Sequence, residues 1–250
     1  MDQANLPDMD MDSWKERSSE EVGFWQNWIL TKGHKWPQDF ALRTDPKTPL
    51  YNSITNFIHE LGIKPGADVS IMDIGSGPLT ALGKVSEKFN ISLTLADPLA
   101  EEYNRLLDEV GVTGVPRPQT GFFETSASQF GSEAFDVVWC CNSLDHSLDP
   151  LLGLYNLLDL CSIGGGLILR FHPNEADGGA YAGLHQWNLD LEDGQITLSQ
   201  KERTVSLMPL LEQQEILGIT QLEGQGAAKG AIIVRVKKTT SCNLSQCLLG

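Results

Sequence analysis

Apolar and polar positions along the chain follow two regimes. Over residues 13–61 the apolar positions recur at helical spacing. Phe24, Trp25, Trp28 and Ile29 share one helix face, and Ser18-Ser19-Glu20-Glu21 ahead of them has the form of a capping box. Leu50, Ile54, Phe57, Ile58 and Leu61 mark a second helical stripe, stopped by Lys64-Pro65-Gly66. A broken stretch with Trp36, Pro37, Phe40 and Arg43 lies between them. From residue 69 short, nearly all-apolar runs take over, at 69–74, 91–96, 135–141 and 166–171, with a weaker one near 119–124. Helices are expected between them, at about 79–89, 101–110 and 150–161. Strands that are apolar throughout and alternate with helices predict βαβ units and a parallel sheet covered on both faces.

The last third reads differently. Asp193-Gly194 sits between alternating segments and predicts a hairpin over 186–200. Residues 204–217 are expected to be helical. Two strands, 219–223 and 231–236, are separated by a short link that suggests antiparallel pairing. The organisation expected is a disordered tail at 1–12, a helical N-terminal cap at 13–66, an α/β domain at 67–238 with an insertion at about 172–200, and a loose tail at 239–250.

Composition narrows the function. The 250 residues carry 33 acidic and 18 basic side chains, a formal net charge of −15. A field of that sign repels phosphate backbones, so a nucleic-acid partner is not expected. No run approaches the ~20 apolar residues of a membrane span, and no membrane association is expected. The opening MDQANLPDMDMD, with four acids and no base, does not read as a secretory signal. Five cysteines without a CxxC suggest neither a disulfide framework nor a zinc site, and a reducing, cytoplasmic setting is the expectation.

In an open α/β sheet, ligands bind beyond the carboxyl ends of the strands, at a topological switch point. After the first strand comes Asp73-Ile-Gly75-Ser-Gly77-Pro78, where glycines permit close approach and the following helix would offer free N–H groups. Asp97 ends the second strand, placed to accept two hydrogen bonds from a ribose diol. Together they imply an adenosine-type ligand. A dinucleotide would ask for a further glycine where Thr80 stands, which disfavours a nicotinamide or flavin. Asn142, then Asp145 and His146, follow the fourth strand, and His172 follows the fifth. His172, Glu175, Asp177 and His185 match no known ligand spacing, so no metal is expected.

These segments resemble the class I S-adenosylmethionine-dependent methyltransferases. VSIMDIGSGP is similar to their first motif and LTLADP to their second. The stretch FETSASQFGSEAFDVVWCCNSLDHSLDP is similar to their third and fourth strands, and GGGLILRFHP to the fifth. The resemblance covers about residues 69–173. It implies a Rossmann-like seven-stranded sheet, with the helical cap and the β-hairpin insertion added to it. It also implies S-adenosylmethionine as cofactor. Asp73, Gly75 and Gly77 would line its methionine end, and Asp97 would hold the ribose. Pro98-Leu99 would pack beside the adenine, Glu124 and Thr125 would meet its amino edge, and Asn142 would lie near the sulfonium. Leu79 stands where a third glycine is frequent in the family.

The reaction such a protein runs is in-line methyl transfer to a small molecule or peptide. The acidic surface favours a neutral or cationic acceptor. Oxygen is the expected acceptor atom, with a histidine as general base, and His185, His172 and His146 are the candidates in that order. Trp36, Arg43 and Tyr51 of the cap, with Glu175, Tyr181 and Trp187 of the insertion, are candidate substrate contacts. The alternatives are transfer to nitrogen and a non-catalytic binding or scaffold protein on the same fold. Oligomeric state is not legible.

Overall fold

A computed structural model describes residues 10–223 and 230–243. The expectations for residues 1–9 and 244–250 lie outside the described residues. Three helices come first: α1 (Met11–Leu30), α2 (Pro37–Thr44) and α3 (Asn52–Glu60). The α/β part follows as β1 (Asp68–Ile74), β2 (Asn90–Asp97), α4 (Ala100–Glu109), β3 (Gln119–Thr120), α5 (Ser126–Phe130), β4 (Phe135–Cys141), α6 (Pro150–Leu160) and β5 (Cys161–Phe171). Next come α7 (Glu175–Gly178), β6 (Asn188–Glu192), β7 (Gln195–Gln200), β8 (Arg203–Ser206) and α8 (Met208–Leu211). The chain closes with β9 (Glu215–Gln221) and β10 (Ile232–Lys237).

Seven strands form the central sheet in the order β3-β2-β1-β4-β5-β10-β9. β10 runs antiparallel to both neighbours, and the β1–β5 pairings are parallel. The order reverses between β1 and β4, which sets a crevice at their carboxyl ends. One sheet face is covered by α3, whose Ile54, Phe57 and Ile58 pack with Val69, Ile71, Val137 and Ile168. The opposite apolar cluster joins Leu154, Leu157 and Leu158 of α6 to Val138, Cys140, Leu167 and Leu169. α1 joins α4 through Trp28, Ile29, Leu106 and Leu107.

Four expectations are corrected. First, the helix expected over 79–89 is absent, and that segment is irregular. Its Leu79, Leu82 and Phe89 are buried, which explains the helical look of the spacing. Its backbone instead pairs with residues 48–51. Leu50 N donates to Val85 O, Tyr51 N to Leu82 O and Lys84 N to Thr48 O, at 2.7, 2.9 and 2.7 Å. Gly83 (φ +85°) permits this crossing, since a Cβ there would stand 2.0 Å from Pro49 O.

Second, residues 204–217 are not one helix. β8 extends the hairpin into a three-stranded sheet, β6-β7-β8, and α8 is one turn long. Thr204-Val205 favours strand geometry, and Leu207, Leu210 and Leu211 are held by the core rather than by a helical ladder. The Asp193-Gly194 turn has both φ positive (+49° and +78°), as a tight hairpin turn requires. Third, residues 10–12 are not disordered. α1 starts at Met11 and its cap is Asp10, which accepts from Ser13 N, whereas Ser18 and Ser19 lie mid-helix and donate back to Lys15 O and Glu16 O. Fourth, the start of the C-terminal tail is tied down. Lys238 is 0% exposed, with Nζ donating to Asp159 O, and Thr239 N and Thr240 N donate to Gln214 Oε1.

Candidate active site

A cavity of about 510 Å³ opens at the switch point. Its floor is the Gly75-Ser76-Gly77 turn after β1, its sides are Asp97 and Asn142, and α1 closes it through Trp14, Glu21 and Trp25. That volume is of the size that holds a drug-sized ligand, roughly 300–1,000 Å³.

The turn's own N–H groups are engaged, and side chains pack against both glycines. Gly75 N and Ser76 N both donate to Ala96 O, at 2.8 and 3.2 Å. Gly77 N donates to Asp97 Oδ2 at 2.9 Å. No helix follows β1 directly, so the helix N-terminus expected to present free N–H groups there is not formed. Both glycines have φ near +65° (+68° and +63°), and each lacks room for a side chain. A Cβ on Gly75 would stand 2.2 Å from Ser143 Oγ, and one on Gly77 would stand 3.0 Å from the Trp25 indole.

Asp97 is buried and accepts one hydrogen bond on each oxygen, from Gly77 N and from Leu99 N. A carboxylate has about four acceptor positions, so two remain. Burial raises its pKa to about 6 despite those two bonds. Asp73, buried below the turn, is likewise raised to about 6 by burial, with the Thr80 hydroxyl and the Arg43 charge opposing the shift. Arg43 lines the cavity, but its guanidinium bridges Asp39 and Leu79 O and lies over the Trp25 and Trp28 rings at 5.5 and 5.7 Å. It braces the floor through these contacts.

Glu124 lines the cavity, with Oε1 accepting from Asp149 N, and burial raises its pKa. Pro98 and Leu99 are also in the wall. Thr125 is not, and its N–H donates to Phe122 O. Asn142 holds a left-handed conformation (φ +54°) that ties the ends of β4 and β5 together. Its N donates to Arg170 O and its Oδ1 accepts from His172 N. Such strain persists where the surroundings enforce it.

Three side chains meet beside the same cavity. His185 Nδ1 lies 2.6 Å from Asp145 Oδ2 and 3.1 Å from His146 Nε2. Asp145 is 3% exposed. Burial alone would raise its pKa, but the charge of His146 and the hydrogen bond from His185 outweigh burial and lower it. The same bond raises the pKa of His185. The stretch holding His185 is fastened by Gln186 Nε2 to Tyr181 O and Gly183 O. The turn holding His146 is fastened by Trp14 Nε1 to His146 O and by Trp187 Nε1 to Ser147 O. Helix α6 is capped by Asp149 itself, not by His146.

All three candidate histidines therefore line one cavity, with Asp73, Gly75, Gly77, Asp97, Pro98, Leu99, Glu124, Asn142 and Arg43. Trp36, Tyr51, Glu175, Tyr181 and Trp187 are not in its wall. Trp36 and Tyr51 are half-exposed, at 50% and 43%, Trp36 beside Phe24 of the wall and the Tyr51 hydroxyl within reach of the Arg43 and Arg170 charges, while Trp187 is a core residue. The Tyr181 hydroxyl accepts from Lys201 N in the insertion. Trp14 and Glu21 of α1 went unnoticed in the sequence, since helical spacing alone does not say which face meets a ligand. Asp145 was visible beside His146, but its partner lies forty residues away.

No protein-family model and no curated protein sequence matches the chain. Solved structures match in fold. The CurJ carbon methyltransferase is 15% identical with a TM-score of 0.52, over 75% of this chain and 52% of that one, so this chain spans about half its length. A S-adenosylmethionine-dependent methyltransferase from Clostridium acetobutylicum ATCC 824 is 13% identical with a TM-score of 0.48, over 89% and 99%. The [4+2]-cyclase SpnF is 15% identical with a TM-score of 0.49, over 74% and 80%. The fold is the Rossmann-like fold of class I methyltransferases, carrying a separate three-stranded antiparallel sheet.

Proposed function

We propose that the chain is an S-adenosylmethionine-dependent methyltransferase that methylates a hydroxyl of a small molecule or peptide. The observation that carries this reading is the combination, around one cavity, of a glycine turn, a carboxylate with two acceptor positions left and an Asp–His pair. The residues fit the cofactor, with Asp97 at its ribose and the Gly75–Gly77 turn toward its methionine end. Gly75 and Gly77 line the cavity with no side chain of their own, and Asp97 keeps two acceptor positions for a diol. When bound, the cofactor supplies a methyl group already activated by its sulfonium.

The chain's own residues orient, exclude water and move one proton. Asp97 and the glycine turn fix the cofactor, and α1 covers the cavity through Trp14 and Trp25. Asp145 holds His185 by Nδ1, which leaves Nε2 to take the proton of the acceptor hydroxyl. The Asp145–His185 bond favours oxygen over nitrogen as acceptor atom, because a hydroxyl needs base assistance that an amine does not. His172 and His146 flank the acceptor. The net charge of −15 suits a neutral or cationic acceptor. Among the described residues no helix is long and apolar enough to cross a membrane. Among the described residues Cys140, Cys141, Cys161 and Cys242 form no disulfide.

Calorimetric titration with S-adenosylmethionine, S-adenosylhomocysteine and NAD tests the reading. Binding of the first two without the third is expected. NAD binding alone, or no binding by any of them, contradicts it.

A further inference from the structure

Three metal-ligating side chains converge on one point beside the proposed acceptor position. The nearest ligand atoms of Asp145, His146 and His185 lie within 4.8 Å of one another. The separations are 2.6 Å for His185 Nδ1 to Asp145 Oδ2, 3.1 Å for His146 Nε2 to His185 Nδ1 and 3.6 Å for His146 Nε2 to Asp145 Oδ2. They bracket the roughly 3.3 Å ligand-to-ligand edge of a tetrahedral cation held at about 2.0–2.1 Å. The two imidazoles meet edge to face, 4.4 Å between centroids and 73° between planes, rather than stacked.

Hydrogen bonding leaves this cluster incomplete. His185 Nδ1 is the shared partner of Asp145 and His146, and a ring nitrogen offers one proton or one lone pair. Asp145 Oδ1, the carboxylate oxygen that does not face His185, is buried without a hydrogen-bond partner, on a residue that is 3% exposed. A buried carboxylate with one oxygen unpaired is costly, and a cation held by the group would offset its charge.

We propose that Asp145, His146 and His185 form a binding site for a first-row divalent cation of the zinc class, and that its occupation excludes the base role of His185. Two imidazoles and one carboxylate suit Zn²⁺, Co²⁺ or Ni²⁺. A single carboxylate is a poor site for Mg²⁺ or Ca²⁺, which take oxygen ligands. Three protein ligands leave a fourth position open, and His146 and His185 both line the cavity. A cation on Nδ1 leaves His185 with its proton on Nε2, so the ring has no lone pair for the acceptor. Zinc is therefore an inhibitor of the transfer. The inhibition rests on the methyl-transfer reading, whereas the binding does not.

The test uses the tag-free full chain, dialysed with zinc in excess Mg²⁺, and reads metal content and the visible spectrum of the cobalt form. One equivalent per chain and a four-coordinate cobalt spectrum are expected. Asp145→Asn and His146→Gln should each weaken zinc binding at least tenfold. Absence of stoichiometric zinc in the unaltered chain overturns the site, whether or not the variants fold. Binding unmoved by both folded variants overturns it too. With an acceptor in hand, equimolar zinc should lower the transfer rate and a chelator should restore it. An unchanged or faster rate with zinc bound overturns the exclusion. Loss of S-adenosylhomocysteine binding with zinc retained would count against the methyl-transfer reading alone. The reverse result would count against this site alone.

Discussion

Two parts of the cavity wall are built in opposite ways. The floor, Gly75 to Gly77, is backbone, and its donors are engaged with Ala96 O and with the Asp97 carboxylate. The Asp–His cluster is made of side chains from distant segments, Asp145 and His146 beside β4 and His185 from the insertion. A backbone site tolerates no added atom, but loses little when a distant residue changes. A side-chain site is the reverse, since each member is oriented by the others.

The largest expected effect comes from adding atoms to the floor. Gly75→Val places carbon where Ser143 Oγ would be 2.2 Å away, on a backbone with φ +68°. Affinity for S-adenosylhomocysteine should fall about 100-fold or more, equivalent to roughly 3 kcal/mol or more, as measured by calorimetry. In the Asp–His cluster, His185→Ala should lower the transfer rate by roughly 10²–10⁴-fold. Asp145→Asn removes the group that orients His185 and should cost roughly tenfold to hundredfold in rate, read by single-turnover kinetics. Equal losses for a floor variant in rate alone would break the contrast.

A smaller effect separates the two parts by pH. Asp73 and Asp97 are raised from 3.8 to about 6, mainly by burial. The folded chain therefore holds these protons more tightly than the unfolded chain. Their contribution to stability is greatest below about pH 4, falls as pH rises toward about 6, and is level above that. Thermal melts across this window should show a smaller decline with rising pH for Asp97→Asn than for the unaltered chain. An identical pH dependence would remove Asp97 from the account.

The contrast also explains what the sequence made legible. The parallel strands and the floor were readable because a glycine turn after an apolar strand, and an acid ending the next, are local signals. Asp97, Gly75 and Gly77 meet at the carboxyl ends of two adjacent parallel strands. The segment 79–89 was misread because Leu79, Leu82 and Phe89 are buried at helical spacing while the backbone pairs with Pro49 and its neighbours, a contact thirty residues distant. Residues 204–217 were misread because buried leucines after β8 look alike in a helix or a turn. Trp36 and Tyr51 sit half-exposed next to wall residues, outside the wall itself. The pairing of Asp145 with His185 depends on how the insertion folds back, which no spacing encodes.

The most direct test is calorimetry of S-adenosylhomocysteine with Asp97→Ala and His185→Ala side by side. The account predicts that Asp97→Ala loses affinity by roughly tenfold to hundredfold, the value of hydrogen bonds to a charged group, while His185→Ala binds as the unaltered chain does. Equal binding by the two variants, in either direction, would contradict a cavity in which Asp97 holds the cofactor and His185 serves proton transfer alone.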